Sequence, residues 1–188
     1  MEDVMASTLY AKAQNVAILK NEVVQIAIGV GLMACCSQLT IPLQPVPITM
    51  QTVAVLLIGL FYSHKTAIKT MLSYLAIGAM GVPVFSNFGA GLGHFLLPKA
   101  GYLFGFLACV AVMTYFRERI GRESFFTQMV ACILGSVALY ACGISWLACF
   151  VGVEKAFLLG FVPFIIPGII KGTIVAYACK EIKASNWM

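Results

Sequence analysis

The chain has 188 residues, 61% hydrophobic and 10% charged, a balance that excludes a soluble domain with a large core and specifies an integral membrane protein. Its formal net charge of +5 comes from cations in short clusters between apolar runs, the pattern that sets membrane topology, which argues against nucleic-acid binding. The seven cysteines lie almost wholly in apolar stretches without a Cys-x-x-Cys pair, and His64 and His94 stand far apart, so the cysteines read as small apolar fillers and neither metal nor cofactor is expected.

Residues 1–22 are expected to form a cytoplasmic N-terminal segment. Glu2 and Asp3 stand where a signal peptide would be positive, and residues 9–20 have the modest apolar face of a surface helix. Residues 23–183 then predict an all-α integral membrane protein of six transmembrane helices, over 23–39, 50–62, 67–81, 101–116, 126–151 and 156–179, with a cytoplasmic tail at 184–188. The second and third are short, and merging them gives a five-helix alternative. Lys65 and Lys69 mark a turn between them and favour six.

In the first helix, Ala27 and Gly31 are four apart and share a face, where small side chains let another helix approach closely. The spacing leaves open whether that helix belongs to this chain or a partner. The loop 40–49 carries Pro42, Pro45 and Pro47, which stiffen it into an extended lid or wall. Thr49 and Gln51 open the next helix, so Gln51 is either part of its capping or a ligand contact.

The loop 82–100 mixes glycines and aromatics with a single amide. Its glycines lack the spacing of a nucleotide-binding turn, and the expectation is apolar walls from Phe85, Phe88 and Phe95 with Asn87 supplying a donor and an acceptor. The bland alternative is a loop that only packs on helix ends.

The last apolar run contains Lys171, with no acid nearby in sequence. A lysine at bilayer depth costs roughly 2.5–3.5 kcal/mol on insertion scales, so it more often faces a substrate or water cavity than lipid. The alternative is that it snorkels or bonds backbone carbonyls. Pro163, Pro167 and Gly168 are expected to break this helix, with a half-helix restarting near Gly168 and aiming free N–H groups at an anionic or strongly polar ligand. An ordinary proline kink is the weaker reading.

Orientation follows from the cations. With both termini in the cytoplasm, Lys12, Lys20, Lys65, Lys69, Arg117, Arg119, Arg122, Lys180 and Lys183 lie inside and only Lys99 and Lys155 outside, as the positive-inside rule requires. No Walker motif, Gly-x-Ser-x-Gly elbow or His-Glu-x-x-His is present, so neither an ATPase nor a familiar hydrolase is expected. The acids fall at segment ends, which suits a binding subunit energised by another protein better than an ion-coupled carrier.

Pro45-Val46-Pro47-Ile48-Thr49-Met50-Gln51-Thr52, Gly81-Val82-Pro83-Val84-Phe85, Pro98-Lys99-Ala100-Gly101-Tyr102-Leu103 and the Pro-Gly element before Lys171 together resemble the BioY family over residues 23–183. These are biotin-specific substrate-binding subunits of energy-coupling factor transporters. The resemblance implies a six-helix, non-enzymatic subunit in the cell membrane that captures biotin and works with membrane lipid, a transmembrane coupling protein and a pair of cytoplasmic ATPases. It implies ligand contacts from Lys171, Asn87, Gln51, Phe85, Phe88 and Tyr102, and partner docking through Ala27 and Gly31. Another small vitamin, a biotin precursor or a membrane enzyme without a known motif is the alternative. The family's Pro-Gly-Asp is here Pro167-Gly168-Ile169, one residue closer to the lysine and without the acid, and Asn87 stands where many relatives have a small residue.

Overall fold

The computed structural model describes residues 21–120 and 125–184. The expected surface helix over 9–20, the cations Lys12, Lys20 and Arg122, and the tail beyond residue 184 lie outside them.

Helix α1 (Glu22–Gln38) begins where the Asn21 side chain accepts from the Val23 N–H at 2.9 Å. Gly29, Met33 and Ser37, four apart, form its buried face, and Gly29 lets Thr70 of the third helix pack directly against its backbone. Strands β1 (Thr40–Ile41) and β2 (Ile48–Thr49) pair antiparallel and close the proline loop between them. Helix α2 (Gln51–Phe61) ends before Ser63, whose hydroxyl accepts from the Thr66 N–H at 3.3 Å and starts α3 (His64–Ala79). The break at Tyr62 and Ser63 removes the merged-helix alternative.

Two short 3-10 turns, Ser86–Phe88 and Leu92–Leu96, carry the second loop to α4 (Ala100–Ile120), which runs antiparallel to α5 (Phe125–Val151). Gly152, at φ 84°, turns the chain into α6 (Val153–Gly160), a conformation that disfavours any residue with a Cβ. Phe161 makes a second corner into α7 (Val162–Ala184).

That last region corrects the expectation. The break falls at Phe161, ahead of both prolines, and Pro167 lies inside one continuous helix, so no half-helix restarts at Gly168. Pro163 sits in the first turn, where its missing N–H has no intrahelical partner to lose. Pro167 removes a single bond, the one to the Pro163 carbonyl, and the helix continues.

Among the described residues, three stretches are long and apolar enough to cross a membrane: Ala100–Ile120, Phe125–Val151 and Val153–Val175. Their outward faces carry Val137, Ile166, Ile169 and Ile174, all exposed, as lipid rather than water requires. At one end of the bundle Lys69 pairs with Glu22 at 2.9 Å, the His64 N–H donates to Glu118, and Arg119 lies over Tyr115. Lys99 lies among the loops at the other end. Lys69 and Arg119 thus lie at one end of the bundle and Lys99 at the other.

The most extensive helix packing is between α4 and α5. Gly101 rests on Trp146 and the Cys142 carbonyl, and a Cβ at Gly105 would lie 2.7 Å from the Leu139 carbonyl oxygen. Backbone cannot step aside there, so Gly105→Leu is expected to cost at least ~1–3 kcal/mol or prevent folding. Gly31→Leu, where a Cβ would meet nothing within 4 Å, should leave the melting temperature in detergent unchanged. Equal melting temperatures for the two variants would show that the α4–α5 approach does not limit stability.

Candidate functional site

Between the two loops, the first turns of α2 and α4, the middle of α5 and the first half of α7 lies a cavity of about 50 Å³. The first loop and α2 supply Pro47, Thr49, Gln51 and Thr52; the second loop supplies Ser86, His94 and Lys99. Leu103, Phe106 and Leu139 make an apolar wall, while Tyr102, Tyr140 and Phe164 close one side with rings, Tyr102 stacked on Phe164 at 6.2 Å. Its lining holds two lysines, and no carboxylate among the described residues.

Lys171 projects from α7 into this space, half-buried, and its Nζ donates to the Thr49 carbonyl at 2.7 Å and to Thr52 Oγ1 at 3.2 Å. The side chain therefore does both things the sequence allowed, bonding a backbone carbonyl while lining a cavity. An ammonium has three donors, which leaves one for an occupant.

Gln51 is 3% exposed and its Nε2 donates to the Tyr74 hydroxyl at 2.7 Å, which donates in turn to the Val84 carbonyl at 2.9 Å. Ser37 Oγ also donates to that carbonyl, at 2.8 Å. This relay ties α1, α2 and α3 to the second loop. Thr49 Oγ1 accepts from the Gln51 N–H at 3.3 Å, so the capping role and the cavity position coexist.

Tyr102 presents its ring to the cavity and spends its hydroxyl on the Gly160 carbonyl at 2.7 Å, holding the corner between α6 and α7. Phe85 is fully buried behind the cavity, edge-on to Tyr74 and stacked on His94 at 5.0 Å, with Gly78 making room for its ring. It reaches the cavity through His94. Asn87 and Phe88 both adopt left-handed backbone, φ 57° and 54°, which turns the loop outward. Asn87 lines a separate outer groove, and Phe88 is 70% exposed.

The structure thus brings Lys171, Gln51 and Tyr102 to one cavity, keeps Phe85 one layer behind it, and sets Asn87 and Phe88 outside. It adds His94, Lys99, Thr52 and Tyr140. Burial, and then the charge of Lys99, hold the His94 pKa below the ordinary imidazole range; burial alone lowers that of Lys99. His94 is therefore the neutral ring expected of a stacking partner. Ala27 and Gly31 lie on the exposed face of α1, opposite Gly29 and Met33.

A multi-pass helical bundle enclosing a small cationic cavity under two loops defines a membrane solute-binding protein. The chain belongs to the BioY family, whose model matches residues 7–186. It is 37% identical over 158 residues to a "probable biotin transporter BioY" of Rickettsia prowazekii, covering 84% of this chain and 80% of that one. A "biotin transporter BioY" of Thermotoga maritima is 32% identical over 163 residues, covering 86% and 95%. The fold also matches the crystal structure of an S-component for biotin from an ECF-type ABC transporter, with a TM-score of 0.79 and 20% identity over 92% of this chain and 93% of that one.

The relay beneath the cavity yields a stability test. Tyr74→Phe leaves the Gln51 amide without its buried acceptor and should cost about 1–3 kcal/mol, read as a lower melting temperature in detergent. Adding Gln51→Met should recover part of that loss, because an unsatisfied group is then removed with its partner. Strictly additive losses would show that the pair is not coupled.

Proposed function

We propose that this protein captures biotin from the outer side of the cell membrane, as the substrate-binding subunit of an energy-coupling factor transporter, and catalyses no reaction. The observation that carries the reading is the half-buried Lys171, aimed into an aromatic-walled cavity in a chain whose relatives are named as biotin transporters.

Two parts of the ligand find counterparts in the cavity lining. Lys171, Thr52 and Gln51 supply donors and acceptors for the ureido ring, and Tyr102, Phe106 and Phe164 enclose the apolar thioether body. Phe85 acts through His94, and Asn87 and Phe88 belong to the outer approach. A cavity of about 50 Å³ is narrower than the ~300–1,000 Å³ of ordinary ligand pockets, so the loops give way as the ligand seats. Biotin is cargo here and no cofactor is needed.

In this reading the chain crosses the membrane six times, α6 and α7 together forming the last passage. Lys65, Lys69, Arg117 and Arg119 then face the cytoplasm with both termini, and the loops face outward. Ala27 and Gly31 form the docking face for a transmembrane coupling protein that joins the subunit to a pair of cytoplasmic ATPases.

Equilibrium binding of labelled biotin to the purified protein in detergent, with lipoate, thiamin and riboflavin as competitors, tests the substrate. Saturable biotin binding without ATP that the competitors do not displace is expected. Tight binding of another vitamin with only millimolar biotin binding would reject it, and turnover of a ligand by the chain alone would favour an enzyme. Lys171→Met should weaken biotin binding about 10- to 100-fold in a protein that still folds, the loss of a charge-assisted hydrogen bond, and Lys171→Arg should restore only part of it.

The docking face has its own test. Ala27→Trp and Gly31→Trp should reduce biotin uptake by cells while leaving binding in detergent nearly intact. Equal loss of both activities would mean internal packing, and no loss of either would remove the interface.

A further inference from the structure

Two spaces meet at one cationic side chain. The outer groove, about 280 Å³, is walled by the proline loop and by Asn87, Leu97 and Pro98, and it shares Pro47 and Lys99 with the deep cavity below it. Lys99 stands between Pro98 and the first residue of α4, the buried Ala100, so its backbone is anchored while its side chain spans the boundary.

The two lysines of the cavity are not in the same condition. Lys171 already holds two oxygens at 2.7 and 3.2 Å. Among the described residues, Lys99 Nζ makes one hydrogen bond, to Ser86 Oγ at 3.4 Å, well beyond the ~2.7–2.9 Å of a charge-assisted bond. It has no acidic neighbour in either lining, and the other titratable side chains of the cavity are His94, Tyr102, Tyr140 and Lys171, none of which carries a negative charge at neutral pH. A half-buried ammonium that has lost water and gained no anion is a site for one.

Resting on the biotin reading above, we propose that Lys99 binds the ligand's carboxylate at the mouth of the cavity and so fixes its orientation: ureido ring inward toward Lys171, acid tail outward at the junction with the groove. Each cation then has one task. Lys171 reads an uncharged oxygen at depth, where it already binds neutral oxygens, and Lys99 supplies the charge that separates the acid from its neutral derivatives. Burial lowers the pKa of Lys99, as it must for a cation without a counter-ion, and a carboxylate beside it would raise it again.

The test compares biotin, biotin methyl ester and a biotin amide ending in a primary amine, bound to purified wild type, Lys99→Gln, Lys99→Glu and Lys171→Met. Wild type should prefer the acid to the ester by about 10- to 100-fold. Lys99→Gln should erase that preference by weakening biotin alone, with ester binding and the melting temperature unchanged. Lys99→Glu should prefer the amine to the acid, and Lys171→Met should weaken acid and ester together. Wild type binding acid and ester equally, or Lys99→Gln weakening both alike, would overturn the role of Lys99 while leaving the biotin reading intact. Failure of wild type to bind biotin at all would instead reject the reading on which it rests.

Discussion

Helix α2 is too short for its surroundings, and a buried arginine answers that constraint at its carbonyl end. Its eleven residues rise about 16 Å at ~1.5 Å each, roughly half the ~30 Å of a bilayer's apolar core. Its last carbonyls are buried inside the bundle, where an unpaired backbone group is costly. At the C-terminal end Arg117, only 2% exposed, donates from Nη1 to the Gly59 carbonyl at 2.7 Å and from Nη2 to the Tyr62 carbonyl. At the N-terminal end Lys171 donates to the Thr49 carbonyl, from a different helix. Arg117, from α4, takes the place that water has at the carbonyl end of a soluble helix, while Lys171, from α7, fixes the strand residue that leads into α2.

This arrangement makes the site part of the architecture. The bond that secures the approach to α2 is also the bond that places the Lys171 ammonium in the cavity, and the relay from Gln51 through Tyr74 to Val84 secures the same helix end from the opposite side. Second-loop residues are held by the relay at one point and by the stacking of Phe85 on His94 at another. Gln38 adds bonds to the Phe85 carbonyl and the Phe88 N–H, and Trp146 one to the Leu97 carbonyl, so a ligand that moves the second loop works against these contacts and not against the glycine-packed seam of α4 and α5. The rigid and yielding parts of the protein are thus different sets of residues.

Most of the helical plan was legible because apolar length is a strong signal. The ends of α1, α2 and α5 fall within a residue of where apolar length put them. Lys171 was legible for the same reason in reverse, a charge where every neighbour is apolar. The positions of Asn87 and Phe88 were not, since two successive left-handed residues decide which way their side chains leave the loop, and L-residues carry no reliable sequence mark of that. His94 and Lys99 were visible only as loop charges, because their place at the cavity depends on how the second loop folds over α4.

The last helix shows a right position reached by a wrong route. Pro167 and Gly168 suggested a break that would lay bare N–H groups, yet α7 runs through them, and the exposed corner is at Phe161 instead. What carries Phe164, Pro167, Gly168 and Lys171 to the cavity is ordinary helical periodicity, i, i+3, i+4 and i+7, which puts all four on one stripe. Within that stripe the two residues that looked like breakers have packing roles. Pro167 gives a flat apolar edge, and Gly168 faces the Tyr140 hydroxyl, which would be in ordinary van der Waals contact, 3.4 Å, with a Cβ at that position. A helix dipole is therefore not available to stabilise an anion beside Lys171. The positive charge of the cavity comes from side chains, and the described lining offers Lys171, already engaged with neutral oxygens, and Lys99, shared with the outer groove.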